Sequence, residues 1–188
     1  MTGDITIDTA RLSLIRLTLE DAAGLFGYRS LPEVCRYQSF RPSAIDDAVA
    51  FIAGTAAQAD IPDTWYQLGI FQKSNSSLIG DIGIHFLGKG GGNVELGCTL
   101  TPASQGQGYA TEAVSAVIDY LIQSLGKRRT IFSIDPRNAP SRRLAARLGM
   151  RQVAYMEKSV LIDGELCDDV LYEINPFDWM SNRPRTSP

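Results

Sequence analysis

The segment Gln105-Gly106-Gln107-Gly108-Tyr109-Ala110-Thr111 stands between a strand-like run, Val94 to Leu100, and the clearest amphipathic helix pattern in the chain. A strand that turns through two glycines into a helix is an α/β device. It leaves the helix N-terminus, with its unsatisfied N–H groups and the positive end of the dipole, at the end of a sheet. Such an end suits an anion, phosphate above all. Gly106 and Gly108 remove side chains where a ligand would approach the backbone. The plainer alternative is a tight strand-to-helix turn and nothing more. Rival phosphate motifs do not fit. A Walker loop ends in Gly-Lys-Ser/Thr, and none is present. A dinucleotide fingerprint needs a third Gly or Ala where Thr111 stands, and a βαβ unit opening on the first strand.

The flanking patterns extend the α/β reading. Ala110, Ala113, Val114, Val117, Ile118, Leu121, Ile122 and Leu125 recur at helical spacing, and Gly126 stops the run. Before the glycines, Trp65–Phe71, Leu78–Phe86 and Val94–Leu100 read as three strands. They are joined by turns at Lys73–Ser76 and Gly88–Asn93, which are too short for crossovers, so these strands are antiparallel. Ile5–Leu17 reads as a strand pair or one bent strand. Leu19 to about Ser30 is a short helix ahead of Pro32. A second helix follows Pro42, with Ser43 as candidate cap and an apolar face continuing toward Ala59, until Asp60–Asp63 breaks it. After Gly126 come a strand, Arg129–Ile134, and a helix opened by Asn138-Ala139-Pro140 and stopped by Gly149. A closing hairpin joins Val153–Leu161 to Asp169–Ile174 through Asp163-Gly164. The tail from Met180 is expected to fray. One domain over residues 1–188 is the economical reading, with its core at about 7–179. The fold class is α/β with a mixed, mostly antiparallel sheet and about four helices.

Bulk composition narrows the chemistry. The 188 residues carry a net charge of −3, which gives no electrostatic footprint for nucleic acid. No apolar run approaches the ~18 residues of a membrane span, and the polar start is not a signal peptide. Three cysteines without CxxC spacing and a single histidine, His85, suggest neither a disulfide framework nor a metal centre, so no metal is expected. A reducing, cytoplasmic setting follows by default.

A second constellation runs from Asp135 to Met150, where another strand ends and another helix begins. Asn138 suits an N-cap; its functional alternative is an amide that holds a ligand between Val94–Leu100 and Arg129–Ile134. Ser141 in the first helical turn is a surface hydroxyl by itself. Arg142, Arg143 and Arg147 form a solvated basic face, or meet phosphates of the same ligand.

Taken together, Glu95-Leu96-Gly97, Gln105-x-x-Gly108-x-Ala110-Thr111-Glu112-Ala113, and Asn138-x-x-Ser141-x-x-Leu144 leading to Leu148-Gly149-Met150 resemble the GNAT superfamily of N-acyltransferases. The resemblance runs from about Ile7 to Trp179 and is nearest to the branch of ribosomal-protein N-terminal acetyltransferases. It implies a sheet whose two neighbouring parallel strands, Val94–Leu100 and Arg129–Ile134, splay to admit acetyl-CoA. It implies the pyrophosphate on the N–H groups of Gln105, Gly106, Gln107, Gly108, Tyr109, Ala110 and Thr111. The pantetheine arm would lie beside Thr99 and Leu100, with Asn138 on the other wall. The reaction implied is direct attack of a primary amine on the thioester. That chemistry needs a base, an N–H donor for the carbonyl, and a proton or hydrogen bond for the leaving thiolate. Glu95, through water, is the candidate base, with a structural strand carboxylate as its alternative. The N–H donor is expected near a bulge in Val94–Leu100. Ser141 is the candidate donor at sulfur. Tyr109 and Tyr120 suit packing better, and Cys98 reads as inert core.

Three positions depart from the commoner family pattern: Gln105 for a basic residue, Cys98 for an aromatic, Arg147 for lysine. None bears on cofactor binding. The acceptor stays open among a peptide N-terminus, a polyamine, an aminoglycoside and an amino acid. Tyr37, Phe40, Trp65, Asp81 and His85 lie toward it by topology. Asp163, Glu165, Asp168 and Asp169 make an acidic closing hairpin that would attract a cation or is simply solvated. Many relatives are homodimers, but no symmetric patch is readable. A non-catalytic acyl-CoA sensor of the same fold is the alternative function.

Overall fold

The computed structural model of the protein describes residues 4–88, 91–162 and 164–182. One sheet carries the strands β1 (Thr6–Asp8), β2 (Leu12–Arg16), β3 (Thr64–Gln72), β4 (Leu78–Leu87), β5 (Asn93–Leu100), β6 (Arg129–Ile134), β7 (Arg151–Ile162) and β8 (Glu165–Ile174). Their spatial order is β1-β2-β3-β4-β5-β6-β8-β7. All neighbours are antiparallel except β5 and β6. The helices are α1 (Ala22–Arg29), α2 (Pro32–Cys35), α3 (Ile45–Ala53), α4 (Tyr109–Gln123), α5 (Ala139–Arg147) and α6 (Pro176–Asn182).

Strand alternation sorts the residues between two layers. Tyr66, Leu68, Ile70, Ile82, Ile84, Val94 and Leu96 share one face and pack with Ala113, Val114, Val117, Ile118 and Leu121 of α4. On α4 these apolar positions recur every three or four residues, so one stripe enters the core. Each such side chain contributes about 1.5–3 kcal/mol by burial. The opposite face of the central strands carries Gln67, Asp81, Gly83, His85, Glu95, Gly97 and Thr99 by the same register. Over part of it lie α1 and α3, with a second cluster of Leu17, Leu25, Tyr28, Val34, Ala48 and Ile52.

Several boundaries differ from expectation. The helix after Pro42 is capped by Asp47 rather than Ser43. The Asp47 carboxylate reaches back and accepts from the N–H of Ser43 at 2.7 Å and of Ala44 at 3.0 Å. Ala44, the N-cap residue, has no side-chain acceptor of its own. That helix ends at Ala53, well short of Ala59. Helices α2 and α6 raise the expected four to six; with four and seven residues they are too short for periodicity to reveal. The expected fray begins too early, because Met180 to Asn182 belong to α6. That helix is anchored by Trp179, which is buried and donates its indole N–H to Asp119 of α4 at 2.9 Å. The β4–β5 register runs unbroken from Leu87↔Asn93 to Gly80↔Leu100, so the expected bulge in β5 is not there. Irregular register occurs instead between β3 and β4, where Ile79 is skipped, and between β7 and β8. Two predicted turns fall partly on Lys89, Gly90 and Asp163, outside the described residues.

Candidate active site

Strands β5 and β6 pair for only three residues each, Asn93↔Arg129, Val94↔Thr130 and Glu95↔Ile131, and then part. Beyond this point β5 continues to Leu100 and β6 to Ile134 with no ladder between them. The edge of β5 from Gly97 to Leu100 thus lacks a neighbouring strand on one side, a place where another extended chain can lie.

At the end of the parted strands opens a cleft of about 1340 Å³. Of the predicted residues, Thr99, Leu100, Gln105, Gly106, Gly108, Tyr109, Ala110, Thr111, Asn138 and Ser141 line it together. Gln107 and Glu95 are not among the lining residues. Gln107 is exposed and its amide donates to Ala103 O at 2.7 Å, which shapes the turn.

One wall is the start of α4. The N-cap Gly108 has φ 82° and Gly106 has φ 74°, both in the left-handed region where a side chain is strained. Glu112 N–H to Gly108 O at 3.0 Å opens the helical ladder, so the N–H groups of Tyr109, Ala110 and Thr111 precede it. A methyl built on Gly106 would meet nothing within 4 Å, so open space lies beside this N–H cluster. Arg11, which sequence reasoning missed, locks the wall in place. Its guanidinium lies 4.3 Å over the Tyr109 ring and donates to Gln107 O at 3.1 Å and to Glu112 Oε2 at 2.6 Å. Burial works against the Glu112 charge, but the donors Thr9 and Arg11 outweigh it and hold its carboxyl below the ordinary range.

The other wall is the start of α5. Asn138 is its N-cap and accepts from Ser141 N–H at 3.2 Å through Oδ1. The structural role is therefore real, and it uses Oδ1 alone. Of the three arginines, Arg143 and Arg147 line the cleft. Arg147 donates to Thr111 Oγ1 at 3.3 Å, joining α5 to α4. Arg142 turns away to Tyr172 Oη at 3.1 Å.

Two further observations fit a large, polar, anionic ligand here. Ser115 Oγ lines the cleft and, among the described residues, is the buried side-chain oxygen with no hydrogen-bond partner. The walls also place Arg11, Arg143 and Arg147 around the helix N-terminus. Leu100 O, in contrast, already accepts from Gln105 Nε2 at 3.2 Å.

On the sheet face that also carries Asp81 and Thr99, Glu95 stands next to His85, with Oε2 3.8 Å from Nδ1. Burial pushes the Glu95 carboxyl above its ordinary value; Asp169 adds to this and His85 opposes it. Cys98 is held neutral, its thiol pushed up to about 12 mainly by burial, which suits the inert reading. Asp81 is not an acceptor-side group. It is fully buried and accepts from Tyr28 Oη at 2.5 Å, from Arg29 Nε at 3.1 Å and from Gln67. Phe40 stacks on Phe51 at 4.2 Å, a packing role. The closing hairpin is less solvated than expected. Asp169 is buried and accepts from Ser133 Oγ at 2.8 Å, while Asp168 accepts from Tyr155 Oη at 2.6 Å.

A mixed sheet that parts at its parallel pair, with a glycine-rich helix N-terminus at the opening, defines an N-acyltransferase fold. Residues 11–151 match the acetyltransferase (GNAT) domain. The chain belongs to that family and is an N-acetyltransferase. It is 29% identical over 173 residues to the uncharacterized N-acetyltransferase p20 of Bacillus licheniformis, covering 90% of this chain and 95% of that one. It is also 29% identical, over 119 residues, to the ribosomal protein uS5-alanine N-acetyltransferase of Escherichia coli, covering 63% of this chain and 61% of that one. Among solved structures, Mycobacterium smegmatis RimJ in complex with CoA-disulfide shares the fold, with a TM-score of 0.79 at 18% identity. That likeness covers 93% of this chain and 88% of the other.

Proposed function

We propose that the protein transfers an acetyl group from acetyl-CoA directly to a primary amine, with a protein N-terminus the favoured acceptor. One observation carries this reading: the free helix N-terminus of α4 and the Asn138–Ser141 segment form opposite walls of a single cleft. Relatives that act on a ribosomal-protein alanine, or that hold a CoA-disulfide, support the choice of donor and acceptor. When bound, acetyl-CoA would supply the acetyl thioester.

The N–H groups from Gly106 to Thr111 hold the pyrophosphate, with Gln105 and Gln107 shaping the turn. Arg143 and Arg147 add positive charge. The open edge of β5 at Thr99 takes the pantetheine arm; at Leu100 the arm must displace Gln105. Asn138 Nδ2 bonds the arm from the far wall. Ser141 Oγ donates to the departing sulfur, and Glu95, outside the cleft lining, takes the amine proton through water.

Thiol release from acetyl-CoA across a panel of N-terminal peptides and small amines tests the activity itself. No thiol release with any amine in the panel, despite CoA binding, would return the protein to the sensor reading. For Ser141→Ala, kcat is expected to fall about 10²-fold, with CoA affinity within about threefold of the parent protein. A loss confined to affinity would reassign Ser141 to binding.

The pH profile tests Glu95. The base works ionised, so kcat/KM is expected to rise with pH through a limb above the usual carboxylate value of about 4.3, because burial raises the Glu95 carboxyl. Glu95→Gln is expected to remove that limb and leave only the one set by the amine. A raised folded-state value also means that any stability from this group is present at low pH and lost as pH rises through it. At neutral pH Glu95→Gln should therefore not destabilise the fold, as calorimetric unfolding would show.

A further inference from the structure

Gly83 and Gly97 face each other across β4 and β5, on the sheet face that carries Glu95 and Thr99. The two glycines have different surroundings. A methyl on Gly83 would stand 3.0 Å from the Trp65 ring and 3.0 Å from Gln67 Oε1. Gly83 is what lets Trp65 lie down across the sheet. There the indole stacks on His85, with 4.7 Å between centroids and 11° between planes, and remains 40% exposed.

Gly97 has no such cover. It is exposed at mid-strand, and a methyl built on it would meet nothing within 4 Å. Its φ is outside the left-handed region, so the backbone does not call for glycine either. Glycine inside a strand costs about 0.5–1 kcal/mol relative to alanine. Neither conformation nor packing in the free protein accounts for it. What remains is a ligand that approaches the backbone closely.

The surroundings say which ligand. Along β5 the bare position lies between Thr99, a cleft residue, and Glu95. Across the sheet the Trp65–His85 stack walls one side. On the other side β6 has already parted from β5. We infer that Gly97 is the specificity-determining residue for the acceptor: the atoms next to the primary amine lie flat on its bare backbone, against Trp65. The acceptor is then a primary amine on a slender, unbranched approach, as in an extended peptide N-terminus or a linear polyamine. The inference rests on the acetyl-transfer reading of the cleft.

Gly97→Ala and Gly97→Val test it, because neither added side chain has a neighbour at Cβ to disturb. The acceptors are an alanine-initiated peptide and a linear polyamine, each run separately, which tells the two sources apart. In steady-state turnover the acceptor KM is expected to rise about tenfold or more in Gly97→Ala, and further in Gly97→Val. CoA affinity by calorimetry should stay that of the parent, and the unfolding midpoint should be no lower than the parent's, because the strand no longer carries a glycine. Tryptophan emission gives a readout free of turnover. The protein has two tryptophans, and Trp179 is buried, so an acceptor-induced change reports Trp65. That change is expected in the parent protein with CoA present, weakened in Gly97→Val and absent in Trp65→Phe. Emission that responds without thiol release would sink acetyl transfer and keep the acceptor seat. An unchanged acceptor KM and emission titration in both glycine variants, or no emission response to either acceptor, overturns the role of Gly97.

Discussion

Replacing Asp81 by leucine is expected to lower the unfolding free energy by about 3–5 kcal/mol, a large part of the 5–15 kcal/mol typical of a domain. The carboxylate is fully buried and Arg29 nearly so, with side-chain exposures of 0% and 9%. Burial alone would push the Arg29 guanidinium down, but the Asp81 charge and hydrogen bonds outweigh it, and it is held above its ordinary value. Removing the anion strands that cation in the interior and orphans the donors of Tyr28 and Gln67. Arg29→Met strands the anion instead and should cost a similar amount. The double variant, Arg29→Met with Asp81→Leu, removes both charges and is expected to recover much of the loss. Urea unfolding of the four proteins reads the coupling directly. Additive losses would show that the pair does not act as a unit. The network also reaches the cleft. Arg29 holds Gln38, whose Nε2 donates to Thr99 Oγ1 at 3.2 Å. Loss of Arg29 should therefore loosen the strand edge where the pantetheine arm is proposed to lie.

That network marks the limit of what could be read from the chain. Asp81 sits in Gly80-Asp81-Ile82-Gly83, where alternation reads a polar residue as facing water. Its partners Tyr28, Arg29 and Gln67 come from distant segments, and no local pattern joins them. The long elements were legible for the opposite reason. The apolar stripe of α4 and the bounds of β6 depend on neighbours three and four residues away, or two, and periodicity records those distances. Gly106 and Gly108 were legible because a left-handed backbone restricts the residue type at that position. The parting of β5 from β6 left no local signal and came through resemblance. Asn138 shows how two readings coexist, since its Oδ1 is engaged in the cap while the residue also lines the cleft. Arg11 was missed because its partners, Tyr109 and Glu112, are about a hundred positions away.

For Gly108→Asp, CoA affinity is expected to fall about 100-fold, or ~2.7 kcal/mol. Three effects act in one direction on binding. The position has φ 82°, which costs an L-residue about 1–2 kcal/mol where glycine adopts it freely. The new carboxylate would stand at the N-cap of α4 and accept from the N–H groups that are proposed to hold the pyrophosphate. Its charge would repel the same phosphates across a short distance. On folding, these effects oppose one another. An aspartate is a favourable N-cap and complements the dipole, which offsets the backbone strain. Arg11 Nη2, 3.5 Å from where the new Cβ would lie, gives the carboxylate a cation to meet. The variant should therefore fold, and its binding can be measured on intact protein. Gly108→Asn separates the causes, since asparagine tolerates the left-handed region and caps helices without adding charge. It is expected to lose less affinity than the aspartate variant, and the gap between the two should narrow at high salt. Equal affinities for all three proteins in calorimetry would move the pyrophosphate off the start of α4, and with it the proposed path of the donor through the parted strands.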